Sequence, residues 1–558
     1  MSLNIIDTRF GKLQGIPAGE PEDGLTMFKG IPYAAPPVGE LRWAPPADPE
    51  PWEGVKICDT FGPCCYQDMK WVYRRESINV KAEDGGLFED IPRISEDCLY
   101  LNVCTGASEA GEKRPVFMWF HGGGLTTGFS YEVQNTPTGL AKEGIVVVSV
   151  GQRLGPFGYI SLPQLSAEQG GKSGNYGLMD QVKALDWVTE NIEKFGGDPD
   201  NITVGGVSGG TWKSNSIALC PYTRGRVKHI IAQSVFRWFM KFPTVKEAEK
   251  FGTDYLQQLG IDPDTPLEEL RRMPTDQVFS CDLPRQYVIG DMVYDGDYVP
   301  YHDYHEAFDA LDHDIDIFGG TTFGEALVFT DPEDPVYYLG HHDGDGKSVY
   351  PLKKSIDTAE DFYAHFKYML KDLYDKYDFE KLVPVTDENA AKTARRLASL
   401  GLVGNGKSSG ARSLMKHRMF GMHMKNLRPD MKVFAYIWSY IMPVRPEDMS
   451  NPSMNPDLRL AFHGSDQWFT FHSLGEGLPA TRDWRAQDYQ MADIMTGYWV
   501  NFMRTGDPNG EGLPYWPQAG DDYGYMDQDW PMKAGQGVSE GLDALIHEYA
   551  QRLYGIDD

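Results

Sequence analysis

The chain has 558 residues, of which 41% are apolar and 13% aromatic. That composition excludes a small disulfide-stapled module and a disordered or collagen-like protein. With 52 basic and 81 acidic residues the formal charge is −29. Such a surface repels phosphate backbones and anionic lipid, which argues against nucleic-acid and membrane partners.

No apolar run reaches ~18 residues, so no membrane-spanning helix is expected. The start, Met1-Ser-Leu-Asn-Ile-Ile-Asp-Thr, lacks the basic and apolar regions of a secretory signal. A cytoplasmic protein is expected, the alternative being a secreted one with a trimmed leader. Seven cysteines cannot all pair with one another, and they show no CxxC spacing. No structural metal and no cofactor is therefore expected.

In chain order, the first 60 residues alternate short apolar stretches with turns and prolines, as in Ile31-Pro-Tyr-Ala-Ala-Pro-Pro-Val-Gly. This predicts antiparallel strands and loops. Pro115-Val-Phe-Met-Trp-Phe is a continuous apolar run closed by His121-Gly-Gly-Gly, and Gly144-Ile-Val-Val-Val-Ser-Val is a second. Ile202-Thr-Val is a third, shorter run leading into Gly205-Gly-Val-Ser-Gly-Gly. Continuous runs suit strands covered on both faces. Between them Leu178, Val182, Leu185 and Val188 recur at helical spacing. Strand, helix, strand implies a right-handed crossover and a mainly parallel α/β sheet. Residues 331–430 predict a mostly helical cap or insertion, and Val433-Phe-Ala-Tyr-Ile-Trp returns to a buried strand before a helix around 494–502. A single domain over 1–558 is the economical reading.

Gly206-Val-Ser208-Gly-Gly210 fits the G-x-S-x-G elbow, which exposes a serine on a sharp strand-to-helix turn. Its glycines let neighbouring backbone approach, and the helix N-terminus favours developing negative charge. His121-Gly-Gly-Gly124 closes another strand and can aim successive amides at an oxyanion. Gly123 and Gly124 are the candidate donors from this loop, joined by Gly209 after the serine.

With these motifs the sequence resembles the type-B carboxylesterase and cholinesterase family of α/β-hydrolases. Phe195 to Gly210 matches that family's serine signature, and Glu96-Asp-Cys-Leu-Tyr-Leu-Asn-Val103 matches its second, with Gly106 at an unusual place. Phe28-Lys-Gly-Ile-Pro-Tyr-Ala-Ala-Pro-Pro, Asn175-Tyr-Gly-Leu-Met-Asp-Gln and Trp499 to Pro517 also fit, so the resemblance covers nearly the whole chain.

The resemblance implies an α/β-hydrolase fold and a triad of Ser208, Glu325 and His463. Glu325 ends Ile317-Phe-Gly-Gly-Thr-Thr-Phe-Gly-Glu, although Gly324 replaces the usual aspartate, and His463 opens a His-Gly-Ser-Asp segment. It further implies buried ion pairs Arg42–Glu96 and Arg153–Asp180, and Ser234 as a serine supporting the acid. Cys65 and Cys98 match a family disulfide, which reduced thiols would replace in a cytoplasmic protein. Three departures stand out. Val207 replaces a glutamate, Val235 replaces a glycine, and Cys281 lacks the mate of a second family disulfide.

The expected activity is hydrolysis of a small-molecule carboxylic ester through an acyl-enzyme, without metal. Amide or thioester cleavage, or a catalytically silent interaction protein on the same fold, are the alternatives. His302, His305, His313, His341, His342 and His472 are read as surface histidines. Trp119, Phe129, Tyr131, Trp238, Phe329 and Trp468 are candidates for an apolar pocket, mostly as packing residues. Lys213 is expected on the solvated side of the helix after Ser208. Oligomeric state is not legible.

Overall fold

The computed structural model describes residues 3, 5–69, 92–283 without 235 and 239, 289–324, 356–402, 413–449, 456, 460–475, 482–535 without 522 and 523, and 539–554. Glu325, Phe329, His341, His342, Val235 and the stretches 331–355 and 403–412 of the expected insertion lie outside the described residues.

The chain begins with short strands, β1 (Ile5–Thr8), β2 (Gly11–Gln14), β3 (Ile16–Ala18), β4 (Leu25–Pro32) and β5 (Val55–Ile57). Next come β6 (Cys64–Cys65), β7 (Ile94–Ser95), β8 (Tyr100–Thr105), β9 (Arg114–Phe120), β10 (Val146–Val150) and β11 (Gly197–Val207). They are followed by β12 (Val227–Gln233), β13 (Asp316–Thr322), β14 (Val433–Trp438), β15 (Tyr525–Gln528) and β16 (Lys533–Gly535). The large sheet has the order β16-β15-β14-β13-β12-β11-β9-β10-β8-β4-β3. From β10 across to β15 neighbouring strands run parallel, while β3, β4, β8 and β16 pair antiparallel.

The N-terminal expectation of antiparallel pairing holds for β1 with β2 and for β3 with β4. It fails for β5, which joins β2 in parallel. The third apolar run is also longer than Ile202-Thr-Val, because β11 pairs back to Gly197 before a register shift. Asp198 to Asn201 hid that extension, since polar residues at a strand start carry no apolar signal.

Alternation along β9 shows why the parallel strands are apolar throughout. Val116, Met118 and Phe120 enter one core with Leu178, Val182, Leu185 and Val188 of the helix Tyr176–Asn191. Phe117 and Trp119 point the other way, into a core with Trp499 and Phe502 of the helix Ala486–Thr505. Both faces are covered, so neither needs polar residues. Between 356 and 430 the described elements are the helices Ala359–Leu370, Asp372–Lys376, Phe379–Leu382, Ala390–Leu400 and Leu414–Leu427. The last lies against β13 and β14.

Buried ion pairs lock the front of this sheet. Arg153, just after β10, donates to both carboxylate oxygens of Asp180 at 2.6 and 2.8 Å, and both side chains are buried. Its Nη1 reaches Ala44 O at 2.8 Å, and its backbone N–H also donates to Asp180. Arg42 grips Glu96 in the same two-pronged way, at 2.6 and 2.7 Å. Cys65 and Cys98 are both free buried thiols. Burial pushes the Cys98 thiol well up, and the neighbouring Cys65 adds to the shift.

Asp180→Ala leaves the Arg153 guanidinium buried without its carboxylate and should lower the free energy of unfolding by about 3–5 kcal/mol. The midpoint of a urea transition measures it.

Candidate active site

β11 ends at Val207, and the helix Gly209–Leu219 begins two residues later. Ser208 makes the turn at φ 59° and ψ −116°, a conformation side chains rarely adopt. The turn closes because its neighbours are glycines. A Cβ on Gly206 would lie 2.5 Å from Phe120 O, and one on Gly210 would lie 2.1 Å from the same oxygen. Ser208 N–H donates to Gln233 O at 2.8 Å, tying the turn to the end of β12. The serine is left half-exposed at the carboxyl edge of the sheet.

The loop after β9 meets this turn directly. A Cβ on Gly122 would come within 3.6 Å of Ser208 Cβ, and one on Gly209 would sit 1.9 Å from Gly124 O. Gly123 and Gly124 both take positive φ, at 95° and 64°. Gly209 N–H opens a helix and so has no partner within it. Among the described residues, no acceptor takes the N–H of Gly123 or Gly124. The far end of the loop is fixed by Gln67, which accepts from Gly128 N–H at 2.6 Å and donates to Gly128 O at 2.9 Å.

Lys213 contradicts its expected place on a solvated face. It is fully buried, because the helix Gly209–Leu219 is covered nearly all round and Trp212 alone remains half-exposed. Its Nζ donates to His121 O at 3.0 Å, the carbonyl that leads into the glycine loop. With the Gln152 amide donating to Val150 O at 3.1 Å, Gln152 Oε1 accepts from Lys213 Nζ at 2.8 Å and from His121 Nε2 at 2.9 Å. His121 Nδ1 lies 2.8 Å from Gly122 O. A buried polar network thus props the loop from beneath. In the sequence the signal was a lysine in a helix otherwise without charge and, apart from Trp212, made of small residues up to Ser216, Gly-Gly-Thr-Trp-Lys-Ser-Asn-Ser.

The histidine segment arrives from the opposite side. A Cβ on Gly464 would lie 3.9 Å from Val207 Cγ2, which puts the chain at His463 beside the elbow. His463 is half-buried. Asp466, fully buried, anchors the segment by accepting from Gln233 Nε2 at 2.9 Å and Tyr436 OH at 3.0 Å. Ser465 accepts from Trp438 Nε1 at 2.9 Å. Asp466 and Gln233 were not recognised as anchors from sequence, since a single buried polar pair leaves no periodic trace.

Gly324, immediately before Glu325, donates its N–H to Ala461 O at 2.7 Å, and Phe323 N–H donates to Trp438 O. The segment leading to the expected acid is therefore hydrogen-bonded two residues before His463. Ser234 is buried at φ 62°, with its N–H on Gly320 O of β13 at 2.8 Å.

Of the histidines expected at the surface, His302 pairs with Glu306, His313 with Asp312, His472 with Asp493 and His305 with Asp309. Trp119, Phe129, Trp238 and Trp468 are buried, and half-buried Tyr131 stacks on Phe61 at 4.3 Å.

The model of the carboxylesterase family matches residues 2–542. The chain belongs to that family. It is a carboxylic ester hydrolase. This esterase is 27% identical to the para-nitrobenzyl esterase of Bacillus subtilis (strain 168), over 93% of each chain. It is 28% identical to a medium-chain fatty acyl-CoA hydrolase precursor of Anas platyrhynchos, over 96% of this chain and 90% of that one. Among solved structures, a Geobacillus stearothermophilus carboxylesterase superposes with a TM-score of 0.70 at 26% identity, covering 97% of this chain and 99% of the other. A para-nitrobenzyl esterase structure does so with 0.70 at 25% identity, covering 98% and 99%.

Gly209→Ala drives a methyl into Gly124 O and should lower kcat about 10²-fold with KM nearly unchanged. Steady-state kinetics on p-nitrophenyl acetate reads this. Lys213→Met leaves His121 O and Gln152 Oε1 short of a donor and should cost about 1–3 kcal/mol of stability, read by denaturant unfolding.

Proposed function

We propose that Ser208 is the nucleophile, His463 the general base and Glu325 the carboxylate that orients the imidazole. The observation that supports this most is the meeting of three segments at one edge of the sheet. The Gly122 loop abuts Ser208, the Gly464 turn abuts Val207, and Gly324 is bonded to Ala461.

In this reading His463 takes the Ser208 proton as Oγ bonds to the substrate carbonyl carbon. The carbonyl oxygen becomes an oxyanion facing the N–H groups of Gly123, Gly124 and Gly209, whose positions cost no reorganisation during the reaction. The tetrahedral intermediate collapses, the ester C–O bond breaks, and His463 returns its proton to the leaving alcohol. Water then repeats the sequence on the acyl-serine, releasing the carboxylic acid. Charge stabilisation comes from backbone dipoles, so the chain's own residues suffice for each step.

Val207 fits this assignment despite replacing a glutamate. Its side chain joins the apolar cluster of Phe323, Leu460 and Trp468 beneath the histidine segment. Packing there takes the place of a buried polar contact. The para-nitrobenzyl esterase relative makes activated aryl and benzyl esters the natural first substrates to test.

Ser208→Ala should reduce hydrolysis of p-nitrophenyl esters to the uncatalysed background and abolish covalent labelling by a fluorophosphonate. Near-normal turnover by that variant, with an intact fold by circular dichroism, would overturn the assignment.

A further inference from the structure

Away from the elbow, three side chains that the ester chemistry does not use converge between two helices. His305 and Asp309 lie one turn apart on the helix Tyr304–Asp309, so both project from the same face. His423 faces them from the helix Leu414–Leu427. His423 Nε2 is 2.6 Å from one Asp309 oxygen, and His305 Nδ1 is 3.7 Å from the other. The ligand atoms of all three lie within 4.8 Å of one another. Among the described residues no other three His, Cys, Asp or Glu side chains bring their ligand atoms together so closely.

We propose that His305, Asp309 and His423 form a binding site for a borderline divalent transition metal such as Zn²⁺. Bonds of about 2.0–2.2 Å to a tetrahedral zinc separate its ligand atoms by roughly 3.3 Å. The His423–Asp309 and His305–Asp309 separations of 2.6 and 3.7 Å bracket that value, so small side-chain adjustments bring the three groups to bonding distance of one ion. Two imidazoles and a carboxylate suit Zn²⁺, Cu²⁺ or Ni²⁺, whereas Mg²⁺ and Ca²⁺ favour sets made of oxygen.

The surroundings fit a ligand set with one open side. Each of the three side chains is about a third exposed, which leaves room for water on the metal. On the inner side buried Trp238 backs both imidazoles, with ring centroids 5.3 Å from each. Phe420 crosses that indole at right angles, also at 5.3 Å. The indole holds the two rings 5.1 Å apart and limits their rotation. A metal here would clip the helix leading into β13 to the helix leading into β14.

Isothermal titration of the EDTA-treated, desalted full-length protein with zinc chloride is the test. The expected result is one zinc per chain, with Mg²⁺ failing to compete. His305→Ala and His423→Ala should each weaken zinc binding roughly tenfold or more, and the double variant should lose the visible absorption bands that Co²⁺ gives with the parent. Because none of these residues serves the ester chemistry, all variants should keep p-nitrophenyl ester turnover, which verifies their fold. Absence of zinc uptake at millimolar metal, or uptake unchanged in the folded double variant, would overturn the proposal.

Discussion

The site depends on a backbone contact rather than on any side chain. Where β11 becomes a helix, Ser208 sits at positive φ and Gly209 presses against the carbonyl of Gly124. No Cβ fits between these strands of backbone. That crowding brings the hydroxyl and the loop amides into one small volume before substrate arrives. The strain of the turn is held by its anchors, above all the bond from Ser208 N–H to Gln233 O.

Gln233 links the two halves of the site. Its carbonyl accepts from Ser208 N–H and from Thr211 Oγ1, and its amide donates to Asp466 in the histidine segment. Beneath the glycine loop, Lys213, Gln152 and His121 form a second buried polar cluster. Both clusters lie at strand ends, where backbone groups leave the ladder and need other partners. Buried polar groups in such positions hold a loop in place as long as their partners remain.

Much of this was legible in the sequence. The apolar runs of β9 and β10 and the 3.6-residue spacing of Leu178 to Val188 are signals of physical periodicity, and the structure carries them directly. The Gly-rich stretches at 122–124 and 206–210 were legible because a close backbone approach leaves no alternative residue. Lys213 was misread, since helical position relative to solvent depends on what packs outside the helix. The start of β11 and the parallel pairing of β5 escaped for a similar reason, both being set by neighbours distant in the chain. The cluster of His305, Asp309 and His423 could not be seen as one, because its members come from helices more than a hundred residues apart.

The double anchoring of Asp466 has a consequence for how this architecture can vary. Its carboxylate is held by Gln233 at the end of β12 and by Tyr436 of β14. Two strands thus fix where the chain around His463, three residues earlier, lies relative to the sheet. The register of two parallel strands therefore acts as the ruler for that segment, and residues elsewhere around it are free to diversify without shifting it.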